Sequence, residues 1–345
     1  MTNDTQNVTK IKKQSKNKIR VDFERTSLWQ RLRIKYFSLR FVGRVIFLIF
    51  RIVLLLGISY IILYPFISKI AGSIMTPEDF SDVTVALISR NPTLDTYKAI
   101  LEQNGYLEAL GDTAVLSLLC ALIQTFSCCF VAYGLAKYKF RGNTLVFFCV
   151  ILTMVIPHTI IQTQMTQHFA AFDIGLFGKG IIRSVFGGVP LNLGSTHWPF
   201  MILSMTAMAF KNGLFIFMLR QFFKNIPDEL EESAYIDGSG IFRTFAQIIL
   251  PLSIPMLITV FLFAFSWQWT DNFYVQMFHP EKEVYFRWAH VYDTTKFNTA
   301  IAGGNNYEAA IRNTVSLMII APLVVVYLFC QKFLVQGIER SGITG

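Results

Sequence analysis

Apolar residues in this chain come in long unbroken runs, neither alternating nor confined to one stripe. Stretches free of Asp, Glu, Lys and Arg occupy 52–68, 113–136, 142–172, 184–210, 244–270 and 313–331. A helix crossing a bilayer needs about 20 mostly apolar residues. The first run is short and reaches that length by recruiting residues 45–51, with Arg51 snorkelling to the interface. The start of the fourth run, Ser184 to Thr196, carries Gly, Pro, Asn and Ser and reads as a loop. Its helix therefore starts near Trp198 and crosses Lys211. The pattern predicts six helices, near 45–67, 113–135, 144–166, 198–222, 247–274 and 311–334. Barrel strands would alternate every second residue in segments of about ten. The expected fold class is an all-α integral membrane protein.

Composition agrees and narrows the function. Of 345 residues, 53% are hydrophobic and 15% charged, where soluble domains carry about 25% charge. A soluble enzyme, a nucleic-acid-binding domain and a disordered chain are all poor fits. The net charge of +9 is uneven, because thirteen Lys and Arg precede the first apolar run against three acids. A basic segment directly ahead of a span holds that end in the cytoplasm and favours anionic lipid over nucleic acid. It is too long and basic for a cleaved signal peptide. Residues 1–44 read as a basic cytoplasmic tail and 45–345 as the membrane domain. With that orientation the cytoplasmic side carries twenty-one Lys and Arg against eight outside, so both termini are expected inside. The long outer loops, near 68–112, 167–197 and 275–310, suit either an extracytoplasmic partner or solvated connection. The five cysteines lie within apolar runs, and the five histidines are dispersed; neither set has metal-site spacing. No metal and no catalytic constellation is expected.

The segment 225–251 between helices four and five is the most informative. Pro227 suits the first turn of a helix, and Asp228, Glu229, Glu231 and Glu232 place negative charge at the positive end of its dipole. Gly238 fits a left-handed helix end, and Gly240 is expected to keep the turn tight. Ser233 and Ala234 offer a small face to another protein. The predicted pattern is a short helix, a sharp turn and a second helix that ends as Pro251 opens the fifth span.

Glu232-Ser233-Ala234, then Gly238, Ile248 and Leu250-Pro251, resembles the EAA loop of ABC importer permeases, Glu-Ala-Ala-x3-Gly-x9-Ile-x-Leu-Pro. Every spacing agrees, and Ser233 for the first Ala is the one departure. Three further stretches resemble the carbohydrate branch, specifically its maltose-type partner permease: Tyr64-Pro65-Phe66, Tyr133 to Gly142, and Gln331 to Ile338 with the closing Gly345. The likeness covers roughly 45–345 and leaves out the basic tail. It implies a type I ABC importer permease fold with a cytoplasmic coupling helix in a bacterial cell membrane. It also implies a second permease, two ATP-binding subunits that hold ATP-Mg, and an extracytoplasmic solute-binding protein. The chain itself would need no cofactor. The residues so assigned to ATPase coupling are Glu231, Glu232, Ser233, Ala234, Asp237, Gly238, Gly240, Leu250 and Pro251, with Glu232 meeting a polar or basic group.

Polar residues inside spans usually face a bundle interior, so Gln124, Gln162, Gln164, Lys211, Asn212, Trp267 and Gln268 are candidates for a substrate path. Amides suit sugar hydroxyls and indoles suit the apolar faces of sugar rings. Helix–helix hydrogen bonding and an interfacial aromatic belt are the competing readings. Lys211 is expected near mid-membrane, against carbonyls freed at Gly213. An ABC permease for peptides, ions or amino acids is a rival. An ion-driven secondary transporter would need carboxylates deep in the membrane, and the one acid within the six predicted spans is Asp271.

Overall fold

The computed structural model describes residues 39–103, 105–173, 175–176, 179–180, 189–209, 211–278 and 305–342. The expectations for residues 1–38, for Gly345 and for most of the third outer loop, with His279 and His290, lie outside these. The chain divides into residues 1–67 and 68–345.

The first helix, α1 (Leu39–Ser73), is longer than predicted at both ends and carries Pro65 within it. Over residues 46–67 its apolar side chains, such as Ile61 and Phe47, are exposed, as suits a lipid-facing segment. In the second unit, the segment after α1 folds into two short helices, α2 (Pro77–Ser81) and α3 (Asp95–Gln103). Thr76 caps α2, its hydroxyl accepting from the Asp79 N–H. Asp79 accepts hydrogen bonds from Ser89 Oγ at 2.6 Å and from the Asn91 N–H at 2.8 Å. Those donors hold its carboxyl below the ordinary carboxylate range.

The centre of the molecule is α4 (Tyr106–Lys137), whose buried side includes Cys120, Ala121, Gln124, Cys128 and Ala132. Small residues there let neighbouring helices approach closely. The third predicted helix is broken into α5 (Asn143–Val155) and α6 (His158–Ala170), which meet at 102°. Pro157 is the cause, since it lacks an N–H and forces Ile156 into extended backbone with ψ 120°. Two two-residue strands, Gly175–Leu176 and Lys179–Gly180, pair antiparallel beyond α6.

The fourth predicted helix is also broken, into α7 (Trp198–Met205) and α8 (Asn212–Lys224). Met208 N–H bonds the Leu203 carbonyl and Ala207 N–H the Ser204 carbonyl, the paired closure of a Schellman cap. Ala207 takes the left-handed position at φ 57°, and Lys211 follows at φ 72°. Lys211 therefore begins α8 and does not lie within a continuous helix, which corrects the expectation. Gly213 is a site of close approach, not of freed carbonyls. A Cβ there would lie 2.6 Å from Thr153 Oγ1 and 3.0 Å from the Val150 carbonyl of α5.

After α9 (Glu229–Ile236), the helix reaching the fifth span starts earlier than predicted. α10 (Ile241–Thr244) passes through a π turn at Phe245–Ile249 into α11 (Leu250–Trp269), a continuous 29-residue apolar helix. Pro251 thus lies inside that helix and does not open it. Its ring would collide with the carbonyl four residues back in a regular α-helix, and the wider π turn just before it makes room. A short α12 (Phe273–Phe278) follows α11.

The last helix, α13 (Asn305–Gly342), also extends past both predicted ends. Pro322 within it cannot bond the carbonyl of Met318, and Tyr106 Oη donates to that carbonyl at 2.8 Å. Trp269 Nε1 donates to the next one, on Ile319, at 3.0 Å. The buried core joins α4, α8, α11 and α13 through Cys128, Phe215, Leu219, Val260 and Val315. Among the described residues, four helices are long and apolar enough to cross a membrane, and five if α5 and α6 count as one bent span.

Candidate functional site

Two places gather the residues singled out in the sequence. The first is the helix pair α9–α10 where it meets the end of α4. Lys137, in the last turn of α4, is 6% exposed at its side chain. Its Nζ donates to the Ile226 carbonyl at 2.7 Å and to Asp228 Oδ1 at 2.6 Å, and lies 3.9 Å from Glu231 Oε1. One turn earlier, Tyr133 Oη donates to the same Glu231 oxygen at 3.3 Å. The Tyr133 ring packs on Phe223 of α8 and on Phe245 of the π turn, with centroids 5.6 and 4.7 Å away. A lysine near a helix C-terminus also faces the negative end of the dipole. Lys137 thus holds the entry to α9 against α4. Its proximity keeps the Asp228 carboxyl below the usual range. Burial pushes Glu231 up, opposed by Lys137 and Tyr133.

This arrangement splits the predicted coupling residues. Glu231 and Ala234 are buried against the body, whereas Glu232, Ser233 and Asp237 face out. Ala234 is therefore not available as a small face for another protein, which corrects that expectation. Gly238, at φ +82°, closes α9 through bonds from its own N–H to Tyr235 and from the Ser239 N–H to Ala234. Gly240 is extended, at φ −77°, with open space where a Cβ would stand, so the turn does not require it. Leu250 and Pro251 lie just past the π turn, away from the outer face of α9. On that face Ile236 is 86% exposed and Tyr235 half-exposed, and on α10 Phe242 is 85% exposed and Ile241 half-exposed. Such apolar patches mark interaction sites.

Sequence reasoning missed Lys137 and Tyr133 as partners of Glu231, and Lys137 as the partner of Asp228. Complementary charge was the available signal, but about ninety residues separate Lys137 from Asp228. Arg220 was missed too: its guanidinium lies 3.8 Å from the Phe147 ring centroid, and its Nε donates to the Leu135 carbonyl.

The second place is a pair of neighbouring cavities. The larger, about 1380 Å³, lies among α5, α6, α7 and α8 and is lined mostly by apolar groups, its polar residues including Thr153, His158, Gln164, His168 and Lys211. The smaller, about 200 Å³, is lined by Gln124, Trp267, Gln268, Asp271 and Asn272. Ala209 and Phe273 border both. Lys211 Nζ sits 4.5 Å from the centroid of the Trp267 ring, so this cation–aromatic contact links the two linings. Of the seven path candidates, five thus reach a cavity. Gln162 lines neither. Asn212 is fully buried in the core, and neither atom of its side-chain amide has a hydrogen-bond partner among the described residues. Gln124 also serves as helix glue, its Nε2 donating to Ser204 Oγ at 3.2 Å.

Residues 128–340, which hold the α9–α10 site and most of the two cavities' lining, match the family model of the binding-protein-dependent transport system inner membrane component. The chain belongs to this family. It is a multi-pass membrane permease of the ABC importer type, a transport subunit and not an enzyme. Among curated proteins it is 28% identical to protein LplC of Bacillus subtilis, over 88% of this chain and 96% of that one. It is 26% identical to the maltodextrin transport system permease protein MalD of Streptococcus pneumoniae, over 84% and 93%. A crystal structure of a bacterial ABC transporter involved in alginate import shares the fold, with TM-score 0.65 at 19% identity, covering 84% of this chain and 97% of that one.

In this permease, Lys211→Ala should leave assembly intact. It removes one cation–π contact, worth about 1 kcal/mol, and keeps a side chain at a left-handed position. Uptake or the ratio of transport to ATP hydrolysis is expected to change. Uptake and ATPase assays on the assembled transporter check this, and unchanged coupled transport would count against any path role for Lys211.

Proposed function

We propose that this chain is one of two permease subunits of an ATP-driven oligosaccharide importer, coupled to its ATPases through residues 225–251. The observation that carries the reading is the two-sided helix α9. Its inner side is tied to α4 by Glu231 and Asp228, and its outer side presents Glu232, Tyr235 and Ile236 beside Phe242. A helix fixed on one face and presenting exposed apolar and acidic side chains on the other suits transmission of a partner's movement to the spans. A permease is a two-state membrane element, and ATPase subunits that bind its states unequally would drive the exchange.

The carbohydrate assignment is supported by relatives whose names specify maltodextrin, galactooligosaccharide and alpha-glucoside transport. In this reading the bent pair α5–α6 and the broken pair α7–α8 each make one span, giving six, with both termini in the cytoplasm. The second permease, two ATP-binding subunits and an external solute-binding protein complete the transporter, and ATP-Mg resides on the ATPases.

The test is co-purification from membranes expressing the whole transporter, with the tag on the ATPase. Ile236→Asp and Glu232→Lys should each lower the permease retained by about tenfold without lowering its amount in the membrane. Undiminished retention in both variants would remove α9 as the docking element.

A further inference from the structure

We propose that the cavity of about 200 Å³ at the outer end of α11 is a subsite for one pyranose unit of the transported saccharide. The inference rests on the carbohydrate reading above and assigns it a place. The cavity is the size of a single sugar ring, and its wall combines apolar side chains with a cluster of polar ones. It carries three side-chain amides, Gln124, Gln268 and Asn272, one carboxyl, Asp271, and the Thr270 hydroxyl, with the Trp267 indole as its aromatic side. Gln124 is almost fully buried. Burying an amide costs free energy unless it meets partners, and Gln124 shows one bond, from its Nε2 to Ser204 Oγ, while Gln268 and Asp271 are half-buried and Asn272 is exposed at the mouth.

Asp271 Oδ1 accepts from the Tyr274 N–H at 3.1 Å, and Gln268 Nε2 donates toward Asp271 Oδ2 at 3.4 Å. A carboxylate offers about four acceptor sites and a primary amide two donors and an acceptor. Paired donors and acceptors on one wall match vicinal hydroxyls, each of which can give and take a hydrogen bond. A role for Asp271 as the start of α12 accounts for its bond to Tyr274. It does not account for the amides of Gln268 and Asn272 on the same wall. One carboxylate among amides is too few oxygen charges for a dedicated divalent-cation site, and an apolar solute would leave the amides unmet. The Lys211 ammonium, in the lining of the larger cavity, rests against Trp267, in the lining of this one. A saccharide passing from one to the other would meet that contact.

The test uses the whole transporter with its binding protein and measures uptake of maltotriose, galactotriose and trigalacturonate. For whichever is moved, Gln268→Ala should raise KM about three- to tenfold with kcat unchanged, the range expected for one lost hydrogen bond. In a Cys149→Ser, Cys330→Ser background, Gln268→Cys should react with a small methanethiosulfonate, and the transported sugar should slow that reaction at least threefold. The labelling arm decides the matter if Gln268→Ala inserts poorly. A transporter that moves one of the sugars, yet shows unchanged KM and no protection, overturns the subsite alone. A wild-type transporter that moves none of the three overturns the carbohydrate reading and the subsite with it.

Discussion

Replacing Lys137 with methionine is expected to release the 226–240 segment from the end of α4 and to reduce coupled uptake below a tenth of normal. The substitution removes the donor to the Ile226 carbonyl and to Asp228, and leaves Glu231 buried with only the 3.3 Å bond from Tyr133. Hydrogen bonds to charged groups contribute about 1.5–3 kcal/mol, and a buried acid deprived of its counter-charge adds to the loss. Asp228 is largely exposed, so its share is discounted for solvent screening. The local cost is therefore about 2–4 kcal/mol. Amide hydrogen exchange across α9 should accelerate at least tenfold in Lys137→Met, while amides of α8 and α11 keep their protection. Lys137→Met combined with Glu231→Met should recover part of the loss, because the stranded carboxyl is gone and the pair couples in a double-mutant cycle. Normal exchange and normal uptake in the single variant would make the clamp incidental.

The second large effect is expected at Gly337. A Cβ there would overlap Thr259 Oγ1 and stand 3.0 Å from the Pro255 carbonyl of α11. The hydroxyl can turn away, but the carbonyl is backbone and cannot. Gly337→Ala should therefore push α13 from α11 and cost about 1–3 kcal/mol, and Gly337→Leu more. Thermal unfolding of the purified transporter checks this. Gly57→Ala on α1, where a Cβ meets nothing within 4 Å, is the matched control and should leave Tm unchanged. Equal Tm values for the two alanine variants would show that α13 and α11 have slack at this crossing.

How much of this was legible in the sequence depended on which residue carried each break. Gly238 announced the end of α9, because glycine is the usual occupant of a left-handed helix end. Ala207 makes the same cap at the end of α7, and nothing in Met205-Thr206-Ala207-Met208 distinguishes it from helix interior. The break between α7 and α8 was therefore read as continuous helix. Pro157 was visible in the sequence, but its consequence, a bend of 102°, depends on what packs around α6. Pro251 misled in the other direction. Proline is common in a first helical turn, whereas here a π turn lets it sit within a helix already under way. In the candidate site, the charge signature of 228–232 was plain, but which acid points inward is fixed only by the position of Lys137. The polar residues of the spans were identifiable one by one. That Gln268 and Asp271 share a cavity while Asn212 is shut in the core is a product of helix packing.

The two neighbouring glutamates of α9 also bear on how such transporters diversify. Glu231 answers to Lys137 and Tyr133 within its own polypeptide, so changes at these three positions must be reconciled inside one gene. Glu232, Ile236 and Phe242 face outward, and under the proposed docking their history would be tied to that of another gene product. When one ATPase serves several permeases, the outward set should stay fixed while the inward set drifts as a unit. A lineage that had lost the positive charge at 137 would be expected to have shed the acid at 228 or 231 as well, and to keep its glutamate at 232.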